Sequence, residues 1–325
     1  MNIATWIYQR QISCHGDRER FWSLIRKMII RFCDDPACEF SIHGKILKMP
    51  LSHNLPLYFS SFPLYDRLPE RIGKYIGQKR GPLTCVDVGA NIGDTIAAFR
   101  QNNDDHFLAI EPNPHFAKYL RHNWKDDATV HVLQVICSSD NESGMFKISE
   151  SGGTASIVAV EEGNEIESKS LDHITERLGP FAEPHIIKID TDGYDFEVIS
   201  GACGVLERTM PALLFECASF SNRNYLADCL RSLQLLNGCG YNHFLVYDNF
   251  GNLFGGYQFA DLQAFKNLLF YQMTAGSCYF DILVMRDEDL FEFHALEVDF
   301  MTQRMKNPAL ITSAVEASGI VRNLI

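Results

Sequence analysis

The sequence predicts an open α/β fold: seven strands in a mostly parallel sheet, helices on both faces, and an N-terminal helix-and-hairpin cap. Three observations carry that reading. Short apolar runs alternate with stretches of helical periodicity from residue 84 to residue 285. The first run ends in a tight glycine turn that opens a helix, and the fourth ends in a group of carboxylates. The first 80 residues lack this alternation.

In chain order, Asp17 to Phe32 has Phe21, Leu24, Ile25, Met28, Ile29 and Phe32 at three- and four-residue spacings, the pattern of an amphipathic helix. Phe40 to Met49 reads as a hairpin turning at His43-Gly44. A proline-punctuated aromatic stretch from Leu55 to Tyr65, a short helix over Leu68 to Ile76 and a linker over Gly77 to Pro82 complete a cap over residues 1–80. The main domain, 81–286, begins with the strand Thr84 to Val88 and a helix from about Gly93 to Asn102. His106 to Ile110 and Val130 to Cys137 are the second and third strands, with the helix Pro114 to Trp124 between them. Gly144 to Ile148 and Glu165 to Ser170 read as extended, and Leu171 to Leu178 as helical. Ile186 to Ile189 is a fourth, buried strand before a helix over Asp195 to Glu207; Ala212 to Glu216 is the fifth, before a helix over Asn224 to Leu236. His243 to Tyr247 and Tyr279 to Met285 complete seven, and the long glycine-bearing stretch between them allows an antiparallel seventh strand beside the sixth. Residues 287–325 read as an acidic, then helical, tail.

Of 325 residues 46% are hydrophobic, enough for a full-sized core. The net charge of −12 offers none of the basic stripe that neutralises phosphates, so nucleic acid is not the expected partner. The ten cysteines include no C-x-x-C pair, and Cys85, Cys137, Cys217 and Cys278 sit in apolar runs, which suits buried thiols in a reducing compartment. Cys33 and Cys38 lack a matching Cys/His pair and read as structural. Met1 to Arg10 has no apolar core of signal-peptide length, and no run approaches the roughly 20 apolar residues of a transmembrane helix. The expectation is a soluble, cytoplasmic protein.

Chemistry concentrates in Val86-Asp-Val-Gly-Ala-Asn-Ile-Gly-Asp94. Gly89 allows close backbone approach, and the helix N-terminus that follows offers amide donors. The G-x-x-x-G spacing differs from the G-x-G-x-x-G that grips a pyrophosphate, and its wider turn suits the amino-acid end of S-adenosylmethionine, with Asp87 near the ammonium. Glu111 stands 18 residues beyond Gly93 at a strand end, where an acid accepts hydrogen bonds from ribose hydroxyls. The fourth strand delivers Asp190 and Asp192, and Glu216 closes the fifth. Three carboxylates there can orient an acceptor, take its proton or hold a divalent cation. Helix capping by Asp192 is the structural alternative. Asp140, after the third strand, is a weaker candidate near an adenine, and Ser151 to Ser156 reads as a loop. His53, His173 and His185 are each expected to be packing or surface residues rather than bases, and Phe59, Phe62 and Tyr65 suit either a sugar platform or cap-to-core contacts.

Val86-Asp-Val-Gly-Ala-Asn-Ile-Gly93, Glu111-Pro with Phe116 and Leu120 beyond it, Ser170-Leu-Asp172, and Lys188-Ile-Asp-Thr-Asp-Gly-Tyr-Asp195 followed by Gly201-Ala202 resemble the FkbM family of methyltransferases over about Leu83 to Glu216. Ser52-His-Asn-Leu-Pro and Phe62-Pro-Leu-Tyr65 are also similar. The resemblance implies a class I methyltransferase fold, S-adenosylmethionine as donor and O-methylation of a sugar, glycan or natural-product hydroxyl. By position it implies that Asp87, Gly89, Asn91, Gly93 and Glu111 line the cofactor and that Asp190 and Asp192 face the acceptor. The family usually has Glu where this chain has Asp192 and Asp195. Two other readings are a nicotinamide-dependent oxidoreductase, which would share the glycine turn and ribose acid, and a methyltransferase-like binding protein without turnover.

Overall fold

A computed structural model describes residues 2–142, 144–159, 164–219, 222–276 and 278–318. The chain opens with α1 (Ile3–Ile12), whose first turn is capped by the Asn2 side chain accepting from the Thr5 amide, and α2 (Asp17–Phe32). The helix α2 spans the predicted residues, but Phe21, Leu24, Met28 and Phe32 of its apolar stripe are exposed and only Ile29 packs against the cap core, so that periodicity located the helix and not its buried side. The strands β1 (Ala37–Ile42) and β2 (Lys45–Pro50) turn through His43 and Gly44, both at positive φ, the two-residue hairpin geometry. Next come α3 (Leu55–Ser61) and α4 (Leu68–Arg80). The latter runs through most of the expected linker, because Gly77 stays helical and Gly81, at φ 80°, ends the helix.

The main sheet begins with β3 (Thr84–Val88), α5 (Asp94–Phe99), β4 (His106–Ile110), α6 (Pro114–Asn123) and β5 (Val130–Leu133). The predicted strand over Val130 to Cys137 is two strands. Its second part, β6 (Ile136–Cys137), leaves the sheet, and β7 (Gly144–Ser151), β8 (Thr154–Ala159) and β9 (Asn164–Ile166) form an antiparallel excursion. The short β10 (Ser168–Lys169) then pairs with β6. After α7 (Leu171–Arg177) and β11 (Ile186–Ile189), the predicted single helix is likewise two, α8 (Asp195–Ser200) and α9 (Cys203–Thr209). They break at Gly201, which lies so close to the Ser138 carbonyl that a Cβ would stand 2.0 Å from its oxygen. The chain continues through β12 (Ala212–Cys217), α10 (Tyr225–Gly238), β13 (His243–Asp248), β14 (Leu253–Gln258), α11 (Gln263–Ala275), β15 (Phe280–Val284), α12 (Asp287–Gln303) and α13 (Ile311–Ala317).

The sheet has eight strands in the order β14-β13-β15-β12-β11-β3-β4-β5. The extra member is the edge strand β14, whose Gly255 and Gly256 read as loop in the sequence but pair with Val246 and Leu245. The strand β15 lies antiparallel beside β13, as the sequence allowed for the last predicted strand, and inserts between it and β12, which the sequence did not indicate. Period-two alternation separates the faces. Val86, Val88, Ile187, Ile189, Leu213 and Phe215 meet the α7–α11 side. Cys85, Phe107, Ile186, Leu214 and Leu283 meet α4, α5 and α12. Within α12, Leu290 and Phe293 join that second core, so the first part of the expected tail lies against the sheet; residues 319–325 of it lie outside the described residues. A third cluster joins Tyr8, Leu47 and Leu55 of the N-terminal elements to Ile92 of the glycine turn and Phe116 of α6.

A cleft at the switch point of the sheet

Connections leave β3 toward β4 and β5 on one side and reach β11 and β12 on the other, so the strand order reverses between β3 and β11. Open α/β sheets bind ligands at the carboxyl end of such a switch point. Here those ends are Gly89 and Asp190. A Cβ on Gly89 would stand 1.8 Å from the Asp190 carbonyl oxygen, and its φ is 82°. Glycine is therefore required for strand-end packing, a constraint independent of any ligand. Gly93, at φ 85°, is required in the same way, because its Cβ would meet the Trp124 indole at 2.3 Å.

A cleft of about 1010 Å³ opens above this junction. Alternation sends Asp87 and Lys188 to one face, and the parallel register sets them directly opposite each other. The Lys188 ammonium lies 2.9 Å from Asp190 Oδ2 and 3.7 Å from Asp87 Oδ1. Burial opposes the charge of Lys188, but the adjacent Asp190 and Asp87 carboxylates outweigh it and hold the amine firmly protonated. Asp87 is 1% exposed, neither of its oxygens has a hydrogen-bond partner, and burial, offset in part by Lys188, pushes its carboxyl up to about 6.

One wall of the cleft is a hydrogen-bonded brace. Glu111 accepts from the amides of Asn91 and Asn113, each at 2.8 Å, which ties the glycine turn to the end of β4. Its burial pushes the carboxyl up to about 7 despite those two amides. Asn91, at φ 49°, donates through Nδ2 to the Gly153 carbonyl at 2.7 Å, and its Oδ1 meets His53 Nε2 at 3.2 Å. The other His53 nitrogen accepts from the Leu55 amide, so both ring positions are occupied; burial lowers the ring to about 4 and keeps it neutral. The turn of the β7–β8 hairpin thus closes onto the cap through Gly152 and Gly153, which a Cβ would drive into Asn54 and His53.

The opposite wall is acidic. Asp192, at φ 52°, accepts from the Ala155 amide at 3.3 Å; burial, with Asp190 and Asp195 nearby, raises it to about 7. The side chain that takes the Gly193 amide is that of Asp195, not Asp192. Glu216 is 7% exposed, its Oε2 has no hydrogen-bond partner, and burial together with Asp190 raises it well above the usual carboxylate range. Asp281, its register partner on β15, is raised in the same sense by burial and Asp190. Glu216, Asp190, Tyr65, Asp66 and Tyr279 also line an adjoining chamber of about 580 Å³ that reaches Asp281 and Asn249. Among the described residues no group of His, Cys, Asp or Glu has the geometry of a metal site.

Residues 87–242, from the end of β3 to the start of β13, match the family described as Methyltransferase FkbM domain. The chain carries an FkbM methyltransferase domain. Among solved structures, similar chains include the FkbM methyltransferase of Methylobacillus flagellatus KT, at 18% identity and TM-score 0.37, over 50% of this chain and 40% of that one. The chain therefore spans less than half the length of that protein. Others are a precorrin-6y C5,15-methyltransferase of Geobacter metallireducens GS-15, at 12% identity and TM-score 0.36 over 66% and 87%, and the METTL16 MTase domain, at 10% and 0.41 over 80% and 78%. Comparison with curated proteins gives no match. The fold is an open α/β fold with a mostly parallel sheet and helices on both faces, with eight strands where the sequence suggested seven.

In the FkbM domain, Gly89, Asn91, Glu111, Asp190, Asp192 and Glu216 come together around one cleft. Three sequence candidates stand apart from its lining. Asp87 lies behind it against Lys188, Gly93 against Trp124, and Asp140 in an exposed turn where its carboxylate accepts from the Glu142 amide. His185 accepts from the Thr84 amide at the start of β3, at the far end of the strands. Phe62 stacks on Phe250, a cap-to-sheet contact, whereas Tyr65 reaches the cleft. Sequence reasoning missed Lys188, whose signal was a lone charge inside the apolar run Ile186-Ile-Lys-Ile189. It also missed Asp94, which closes the segment Val86 to Asp94 without having been assigned a role, and Asp66, which carried no signal.

Proposed function

We propose that the chain is an S-adenosylmethionine-dependent O-methyltransferase acting on a hydroxyl of a sugar, glycan or glycosylated natural product. The observation that carries this is the charge balance of the cleft. Asp66, Asp94, Glu111, Asp190, Asp192 and Glu216 line it, with Lys188 as the single lysine or arginine among the described lining residues. Such a site attracts a ligand bearing an ammonium and a sulfonium and repels the phosphates of a nicotinamide dinucleotide. The Glu216 Oε2, which lines the cleft and has no hydrogen-bond partner, supports the same reading, since an incoming polar or cationic group would satisfy it.

When bound, the cofactor supplies an activated methyl group, and the remaining work is alignment and proton management. In this reading the Gly89–Asn91 turn and Glu111 hold the cofactor. Asp192, raised to about 7, takes the proton that the acceptor hydroxyl loses, since a base works best near the ambient pH. Asp190 is held by Lys188 and orients the acceptor. Glu216 and Asp281, whose carboxyls burial and Asp190 raise well above the usual carboxylate range, meet a polyhydroxylated ligand in the adjoining chamber. Residues 1–80 act as a cap that closes the cleft, residues 81–286 as the catalytic domain and residues 287–325 as an appendage to it, in a cytoplasmic protein. Calorimetric titration with S-adenosylhomocysteine and with NAD tests the reading, followed by methyl transfer from labelled S-adenosylmethionine to a sugar panel. Binding of the first ligand alone is expected; heat from NAD and none from S-adenosylhomocysteine would overturn it.

A further inference from the structure

The helix α2 is attached through Arg26 and through Ile29 and Ile30, which pack against the third cluster. Arg26 is buried, donates from Nε to the Leu51 carbonyl at 2.7 Å and from Nη2 to the His53 carbonyl at 3.1 Å, and lies 3.8 Å over the Tyr8 ring. On the opposite side Phe21, Leu24, Met28 and Phe32 are 56%, 62%, 55% and 76% exposed. Globular helices turn such a stripe inward, and an outward one marks an interaction face. The stripe continues onto α1, where Ile3 and Trp6 are exposed and Trp6 meets Trp22 edge to face at 5.3 Å.

Charge decides what covers this face. Residues 1–32 hold six arginines and lysines against two acids, in a chain whose net charge is −12. At about 100° per residue, Arg20, Lys27 and Arg31 fall together along one border of the stripe and Arg18 along the other, all exposed. Two copies of this basic face would repel each other. A flat anionic surface meets both the ridge of apolar side chains and its basic borders, the composition of an in-plane interfacial helix with aromatic residues at the boundary. No helix among the described residues is long and apolar enough to cross a membrane, so attachment would be peripheral.

We propose that the α1–α2 hairpin docks this chain on an anionic lipid surface, with Phe21, Leu24, Met28 and Phe32 inserted at the headgroup boundary and Arg20, Lys27 and Arg31 against lipid phosphates. The inference is independent of the reaction proposed above. The test is flotation of the full chain with vesicles of phosphatidylcholine alone and with one-third phosphatidylglycerol. Binding to the anionic vesicles only is expected, with a blue shift of the emission of Trp6 and Trp22. The Arg20→Gln/Lys27→Gln/Arg31→Gln variant should lose about fivefold in partitioning per residue removed. Leu24→Gln/Phe32→Gln should abolish binding, with unchanged melting temperature because both side chains are exposed. Failure to float with either vesicle, equal binding to neutral vesicles, or a solution dimer that Leu24→Gln/Phe32→Gln converts to monomer would overturn the proposal.

Discussion

Lys188 and Asp87 face each other across the β3–β11 register, a buried cation 3.7 Å from a carboxylate with no hydrogen-bond partner of its own. Removing one member of such a pair strands the other. Lys188→Met is expected to cost about 3–5 kcal/mol of unfolding free energy in a denaturant titration. Adding Asp87→Asn removes the stranded charge and should recover most of that loss. If the double variant is no more stable than Lys188→Met alone, the pair does not carry the effect. Asp190 adds little to this figure, because its side chain is 47% exposed and its attraction to Lys188 is screened by solvent.

Gly89→Ala should fail to give soluble folded protein, since its Cβ would lie 1.8 Å from backbone and the position has φ 82°. Gly81→Ala, at φ 80° with nothing within 4 Å, isolates the conformational penalty and should cost only about 1–2 kcal/mol. Comparable soluble yields and melting temperatures for the two would remove packing against Asp190 as the reason for glycine.

What was legible in the sequence follows from this physics. The runs Thr84 to Val88, His106 to Ile110 and Ile186 to Ile189 are buried on both faces, and their continuous apolar content located β3, β4 and β11 to the residue. The edge strand β14 was hidden because its glycines and half-exposed residues have no such pattern, and pairing with β13 alone makes it a strand. Glu111 was legible as an acid at a strand end, but its two backbone bonds were not, since they depend on where the Asn91 and Asn113 amides end up in space. The orientation of α2 was illegible for a similar reason: periodicity defines a face, and only the Arg26 bonds to Leu51 and His53 reveal which face is inward.

The buried acids also set a pH dependence. Asp87 is raised from 3.8 to about 6, and Asp94, Glu111, Asp192 and Asp195 to about 7, chiefly by burial. Raised carboxyls bind protons more tightly in the folded state, so their contribution is fully present below about pH 4 and is lost as pH rises through 6 to 7. Within that window, thermal melting of the ligand-free protein should fall with increasing pH, for example from about pH 5 to about pH 8. A cationic ligand favours the ionised forms, so S-adenosylmethionine should release protons on binding near pH 7 and flatten the dependence. A melting temperature that rises across the window would contradict this arrangement.

Activity offers a separate test of the acidic wall. Asp192 holds φ 52°, which asparagine tolerates as well as aspartate, so Asp192→Asn removes the proton acceptor without disturbing the backbone. It should lower kcat by about a hundredfold or more and abolish the rise in rate toward pH 7, while S-adenosylhomocysteine still binds. Glu216→Gln removes a carboxyl that lines the acceptor chamber and leaves Asp192 in place, so it should alter KM for the acceptor far more than kcat. If instead Glu216→Gln removes the pH dependence and Asp192→Asn leaves it intact, the base is Glu216. Glu216 would then act as base against the burial and the Asp190 carboxylate that both disfavour its ionised form.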